Sequence, residues 1–272
     1  MAIKADCHLH SSFSGDSDAN MEDIVKSAID KGLTHICFTE HQDFEYVVND
    51  DIPEGYFEFN TDQALYDLLK LKEKYRSQIT INFGVELGMQ EHLARKNAIY
   101  AKSHDFDFII ASSHLVGGKD PYYKECFEGR DEKDVYHDYF KSEYECIKTF
   151  RAFDVYGHLD YIFRYGPNKN AGISFDEYKE DIDKILELLI ENEKGIEVNS
   201  AGYSHGLNAP NPCKDILLEY KRLGGEIITI GSDAHKAEDV ARDYDKVEEL
   251  LKDCGFKYYS VFDGRMPEHF KL

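Results

Sequence analysis

Short β-branched runs alternate with amphipathic helical stretches along this chain, an order that implies a parallel sheet, either open or closed into a barrel. The strand-like runs fall at 3–9, 34–39, 79–87, 106–112, 153–158, 195–198 and 226–230, with a further candidate at 258–262. Between them the spacing predicts helices. One spans 21–31, with Asn20 as its cap, Glu22 and Asp23 in its first turn and Gly32 closing it. Another spans 175–192, opened by a Ser174 and Glu177 capping box and carrying Ile182, Ile185, Leu186 and Leu189 on one stripe. A third opens at Asn211-Pro212 and ends at Gly224. No linker, repeat or low-complexity stretch divides the sequence, so residues 1–272 are expected to form one α/β domain.

The connections separate the two ends of the expected sheet. Helix-to-strand links are terse, as at Gly32-Leu33, Ser77-Gln78 and Gly224-Gly225, whereas strand-to-helix links at 42–60, 115–131, 160–173 and 200–210 are long, polar and aromatic. In a (β/α) barrel the long links at the carboxyl ends of the strands build the active site. Residues able to bind metal gather on that side: His8 and His10, then Asp16, His41, Glu86, His114, His158, Asp233 and His235. In Asp6-Cys7-His8-Leu9-His10 the two imidazoles share one face of an extended chain, because side chains alternate across a strand. A lone strand-end histidine is more often structural, and an isolated Asp16 in a Gly/Ser loop is usually a turn former. A purely structural role gives no reason for His, Asp or Glu at the end of nearly every strand. Nine such ligands exceed what one ion takes, so two to three divalent ions, zinc, manganese or iron, are expected, with Glu86 as the bridge. His35, His92, His104, His137 and His269 lack this placement and are read as structural or surface residues, while His205 lies in a long loop on the active side.

Composition narrows the partners. The 53 acidic against 32 basic residues give a net charge of −21, which argues against binding nucleic acid through its phosphates or resting on an anionic membrane. The six cysteines are scattered without a C-x-x-C pair, so they read as buried thiols in a reducing compartment. With no apolar leader at the start and no long apolar span, a cytoplasmic location is expected.

The ordered set D-x-H-x-H, Thr39-Glu40-His41, Gly84-Val85-Glu86, Ser112-Ser113-His114, Gly157-His158-Leu159-Asp160 and Ser232-Asp233-Ala234-His235 resembles the PHP (polymerase and histidinol phosphatase) family. The stretch Glu197-Val198-Asn199-Ser200 and the tail Tyr258-Tyr259-Ser260-Val261-Phe262 look most like its histidinol-phosphate phosphatase branch. That resemblance implies a distorted seven-stranded (β/α) TIM-like barrel with three metal ions. It implies hydrolysis of L-histidinol phosphate to L-histidinol and phosphate, a step of histidine biosynthesis. It also implies His8, His10, Glu86 and Asp233 around one ion, Glu86 bridging to a second held by His114 and His158, and Asp16, His41 and His235 around a third. Where that branch commonly carries an Arg after its Glu-Val-Asn, this chain reads Ser200-Ala201-Gly202-Tyr203-Ser204-His205, so phosphate recognition is assigned to the metals, Arg164 and His205.

Such a centre lowers the pKa of bound water, so that a hydroxide shared by the Glu86-bridged pair attacks phosphorus in line. Arg164 offsets charge on the equatorial oxygens, and Asp233 or a neighbouring histidine handles protons. Histidinol carries an ammonium and an imidazole, for which Gln42, Asp43, Glu45, Tyr46 and Tyr122 are candidate contacts. Within the family the alternatives are nucleotide and phosphotyrosine-protein phosphatases, and an exonuclease, which would need a basic groove absent from this sequence. Amidohydrolases also open with His-x-His, but bridge their metals with a modified lysine where this chain offers Glu86. A non-catalytic metal-binding protein would lack part of the ligand set, which is complete in this chain.

Overall fold

In the computed structural model, which describes residues 2–169 and 174–272, seven strands run parallel around a nearly closed barrel. They are β1 (Ala5–Leu9), β2 (His35–Phe38), β4 (Thr80–Gly88), β5 (Phe108–Ser112), β6 (Val155–Tyr156), β7 (Gly195–Asn199) and β8 (Ile228–Gly231), hydrogen-bonded in that order. A two-residue strand β3 (His41–Gln42) adds to β4 beyond the end of β2, with His41 opposite Glu86. The seam between first and last strands closes just past β8: Leu9 bridges Ala234, His10 N–H donates to Ala234 O at 3.0 Å, and Asp233 N–H donates to His8 O at 3.0 Å. All strand pairs of the barrel are parallel, as the alternation of strands and helices requires.

The helices are α1 (Met21–Asp30), α2 (Thr61–Tyr75), α3 (Ala94–Ser103), α4 (Glu132–Thr149), α5 (Phe175–Glu191), the single turn α6 (Ala201–Ser204), α7 (Lys214–Arg222) and α8 (Tyr244–Asp253). Asn20 caps α1 by accepting from Glu22 N–H at 2.9 Å, and Gly32 follows the helix at φ +73°. On α5, Tyr178, Ile182, Ile185, Leu186 and Leu189 are buried against the barrel, but the expected capping box does not form: the Ser174 side chain makes no cap bond. The helix expected from Asn211-Pro212 begins only at Lys214, after Cys213. Asn211 is held elsewhere, its backbone exchanging hydrogen bonds with Asn199 and its side chain bonding Asp160 and Arg164, so it is unavailable to a first helical turn. Of the long link expected at 160–173, residues 170–173 lie outside the described residues.

The candidate strand at 258–262 forms, as β9 (Tyr258–Asp263), but pairs antiparallel with β10 (Met266–Lys271) instead of joining the barrel. This hairpin lies against the amino-terminal ends of the strands: Phe262 stacks on Phe108 at 5.1 Å, and Asn82 donates to Phe262 O at 2.6 Å. The opposite end is left to the long loops. Among the described residues no helix is long and apolar enough to cross a membrane.

Candidate metal centre

Strand alternation decides which side chains reach the open end of the barrel. On β1, Asp6 and His8, with His10 just past the strand, share one face, while the buried Cys7 and Leu9 take the other. On β7, Glu197 and Asn199 share a face in the same way. Glu86 lies near the carboxyl end of β4, and His41, His114, His158, Asp233 and His235 come from the short β3 and from loops just beyond β5, β6 and β8. His158 and Asp233 both have positive φ, +24° and +55°, a conformation that non-glycine residues adopt at a cost.

The structure brings all nine candidate ligands together around Glu86, at the floor of a cavity of about 400 Å³. Glu86 Oε2 lies 3.2 Å from His8 Nε2, 3.5 Å from His10 Nε2 and 2.9 Å from His41 Nδ1. Its Oε1 lies 3.2 Å from His114 Nε2 and 2.8 Å from His158 Nε2. Asp233 Oδ1 stands 3.6 Å from His8 Nε2 and 3.4 Å from His10 Nε2. Nearer the mouth, Asp16 Oδ2 lies 3.6 Å from His41 Nε2 and 3.2 Å from His235 Nε2. The groups tight enough to share an ion are His8, His10 and Asp233; His41, Glu86 and His114; and His10, His41 and His235. His41 thus stands between two of these positions, one ring nitrogen toward Glu86 and the other toward Asp16.

Whether these residues suit metal ions can be judged from their unused atoms. His8 Nε2, His10 Nε2, His41 Nδ1, Glu86 Oε2 and His235 Nε2 are all buried without a hydrogen-bond partner, although buried polar atoms are normally paired. They converge as imidazole nitrogens and carboxylate oxygens at short range, the donor set that zinc, manganese or iron takes. The electrostatics agree. Burial pushes the Glu86 carboxyl up, but His8, His41 and His114 hold it well below the usual carboxylate range. His10 is pulled down to about 3 by burial and by its neighbours His41 and His235, between which its ring stacks at 4.2 and 4.3 Å. His10 is therefore neutral and keeps a lone pair.

Behind the candidate ligands stands a set of orienting groups that spacing in the sequence does not announce. Glu197 Oε1 accepts from His8 Nδ1 at 2.6 Å, while its Oε2 accepts from His158 N–H at 3.0 Å and Asn199 Nδ2 at 3.2 Å. Asp43 Oδ1 accepts from His114 Nδ1 at 2.7 Å. For His10 the tautomer follows from counting hydrogens. The Ser14 hydroxyl donates to Glu40 Oε2 at 2.6 Å and accepts from His41 N–H at 3.1 Å, so its 3.0 Å contact with His10 Nδ1 is a donation from that nitrogen. In His8, His10 and His114, Nδ1 is thereby engaged and Nε2 faces the centre, the arrangement by which outer groups orient metal-binding histidines. Glu40 is not a ligand but the anchor of the Ser11–Ser14 turn. Asp6 likewise binds Ser232 and Ala241 N–H across the seam.

The residues expected to meet substrate divide. Arg164 lines the cavity but is 3% exposed, with Nε donating to Asn211 at 2.8 Å, Nη2 to Asn199 at 3.0 Å and Nη1 to Asp233 at 3.3 Å. His205 lines the cavity near Tyr165, and partial desolvation together with the Arg164 charge lowers its pKa. Asp43 also reaches the cavity wall, although one oxygen is committed to His114. Gln42 is buried and does not line the cavity, and Tyr122 is 69% exposed outside it, edge-on to Tyr165. Glu45 pairs with His92 at the surface, whereas Tyr46 does line the cavity and donates to Asp120 at 2.9 Å. Phe57, Tyr161 and Tyr165 complete an aromatic wall. His35, His104, His137 and His269 bond Thr34, Ser103, Asp181 and Ser260 respectively, away from the centre.

Comparison with known proteins places this geometry. The model of the PHP domain matches residues 6–201. A probable histidinol-phosphatase of Clostridium acetobutylicum is 33% identical over 93% of this chain and 94% of its own length. A histidinol-phosphatase of Lactococcus lactis is 32% identical over 96% of this chain and 95% of its own. The crystal structure of histidinol phosphate phosphatase from Lactococcus lactis, complexed with zinc, L-histidinol and phosphate, matches with a TM-score of 0.89 at 32% identity, covering 97% of this chain and 98% of that one.

Proposed function

The chain belongs to the PHP family, and from that premise we infer that it is a metal-dependent phosphomonoesterase, a histidinol-phosphatase that hydrolyses L-histidinol phosphate to L-histidinol and phosphate. The observation that carries this reading is the convergence of unpaired ligand atoms on Glu86 at the floor of the cavity, in a chain alike over nearly its whole length to a zinc-, histidinol- and phosphate-bound phosphatase. His8, His10, Asp16, His41, Glu86, His114, His158, Asp233 and His235 would hold two to three divalent ions. Bound there, such ions would supply an acidic water as nucleophile and offset charge on the phosphate oxygens.

The chain's own groups do the rest. Glu197, Asp43 and Ser14 fix ring orientation and leave the facing nitrogens of His8, His114 and His10 free to coordinate. Arg164, braced by two asparagines and Asp233, sets a fixed positive charge beside the centre without needing to move when charge develops. Asp233, between that guanidinium and two histidines, is the candidate proton-handling group, with His205 the second. Tyr46, Phe57, Tyr161 and Tyr165 offer flat apolar faces suited to an imidazole ring. The six free cysteines support a reducing, cytoplasmic setting, and one apolar core running from Ile3 to Phe262 supports a single domain.

The test is phosphate release by purified, manganese- or zinc-loaded protein, comparing L-histidinol phosphate with nucleoside monophosphates, phosphotyrosine and an aryl phosphate. A preference of several orders in kcat/KM for histidinol phosphate is expected. A flat, weak profile would refute that substrate and leave a phosphoesterase of other specificity.

A further inference from the structure

The cavity that accepts a phosphate dianion is walled mainly by acidic and aromatic groups, and among the described residues two cationic side chains line it beyond its histidines: Arg164 and Arg242. Arg164 is buried, and all three of its nitrogens already donate to Asn211, Asn199 and Asp233. Its charge is held at the floor, beside Asp233. Arg242 differs in each respect. It comes from the loop between β8 and α8, its side chain is 44% exposed, and it reaches the rim of the cavity from the side of the seam.

Two groups from separate loops hold that guanidinium in place. Asp239 pairs with Nη2, and Ser204, at the end of α6, accepts from Nη1 at 3.3 Å. Both also line the cavity. A guanidinium has five N–H donors in a rigid fork, so these two contacts leave three, including a further N–H on each terminal nitrogen. Planar, permanently charged and steered by partners on two sides, it matches the geometry of phosphate oxygens better than the exposed His205 imidazole beside it. His205 follows Ser204 directly, so one short segment presents both a neutral ring and the anchor of the arginine.

We propose that Arg242, anchored by Asp239 and Ser204, is a phosphate-binding residue of this site, contacting the non-bridging oxygens of the substrate and of the phosphate it releases. The proposal rests on the phosphatase reading and adds a residue to it. Arg242 supplies from the β8 loop a solvent-accessible cation with donors to spare, which the buried Arg164 does not.

The test uses full-length, zinc-loaded protein carrying Arg242→Ala or Arg242→Lys, with zinc content and melting temperature measured beside wild type. Inorganic phosphate and L-histidinol are each titrated as inhibitors, and KM and kcat are determined. With Arg242→Ala, the Ki of phosphate and the KM of the ester should rise by about tenfold or more, the loss of a charge-assisted contact, while the Ki of histidinol and the zinc content stay unchanged. Arg242→Lys should fall between, keeping the charge but not the fork. An unchanged phosphate Ki would overturn the proposal. So would equal weakening of phosphate and histidinol, which would mark a general loosening of the rim. If wild-type protein failed to cleave histidinol phosphate yet lost phosphate affinity on Arg242→Ala, the substrate assignment would fall while the phosphate contact stood.

Discussion

Replacing Glu197 with glutamine exchanges one carboxylate oxygen for an amide nitrogen in a side chain that is 1% exposed, and the structure sets what that exchange does. The carboxylate accepts from His8 Nδ1 on one oxygen and from His158 N–H and Asn199 Nδ2 on the other. Glutamine has only one acceptor oxygen. With that oxygen toward His8, the amide N–H groups confront two buried donors, at about 1–3 kcal/mol for each one left unpaired. With it toward His158 and Asn199, the amide faces His8 Nδ1 at close range, and the conflict is relieved when the histidine proton moves to Nε2. The second arrangement costs less. It places a proton on the nitrogen that faces Glu86 and Asp233, and so removes one ligand lone pair from the centre. Loss of such an orienting partner weakens metal affinity by about 10–100-fold, roughly 1.4–2.7 kcal/mol. Competition for zinc against a fluorescent chelator would measure the affinity, and nitrogen-15 NMR of the histidine rings would report the tautomer. If Glu197→Gln bound zinc as tightly as wild type, with His8 still protonated on Nδ1, the orienting role of Glu197 would be refuted.

Three further outcomes are expected. In protein stripped of metal, burial opposes a proton on His114, but Asp43 and Glu86 win and raise its pKa from 6.5 to about 10. That pairing stabilises the fold fully below the unfolded value of about 6.5 and is lost as pH rises through about 10. Urea unfolding at pH 6 and pH 9 should therefore show a fall in stability that shrinks in Asp43→Asn, and an equal fall in both proteins would count against the pair. Arg164→Ala should lower the melting temperature by several degrees and reduce kcat as well as raise KM, because it takes from Asn211 Oδ1 its donor and from Asn199 and Asp233 one donor each; a change in KM alone, with stability intact, would contradict this bracing role. Gly231→Ala would place a Cβ 2.3 Å from Glu197 Oε1 and 2.4 Å from His8 Cβ, so zinc retention after dialysis should drop, and full retention would show that the floor yields elsewhere.

The candidate ligands were legible because a barrel of parallel strands turns sequence position into spatial position. His8 and Asp233 lie far apart in the chain, yet both mark the carboxyl ends of strands, and such ends meet. The orienting groups were less legible. Glu197 reads as one more polar residue in a strand, and its partner His8 is set by barrel closure, which brings β7 and β8 round to β1. Ser14 and Glu40 lie in separate loops, after β1 and after β2, and meet only because those two strands pair. β10 escaped because Met266-Pro267-Glu268-His269-Phe270-Lys271 has a largely exposed surface and a proline, lacking the alternation that marks a half-buried strand. Arg164 looked like a surface-loop cation ready for substrate, whereas Asn199 and Asn211, brought beside it by β7 and the following loop, lock it into the wall.

The seam where Leu9 meets Ala234 also governs when the centre comes into being. His8 and His10 are made with the first strand of the barrel, Asp233 and His235 just after its last, and the ligand cluster needs both. During synthesis the early histidines must wait for the rest of the barrel with their partners unmade, so ion loading belongs to the finished barrel and not to the growing chain. An ion held by His8, His10 and Asp233 would act as a clasp between the two ends of the sheet. Catalytic competence and closure of the fold would then be one event, and a molecule with an open seam would be inactive as well as incomplete.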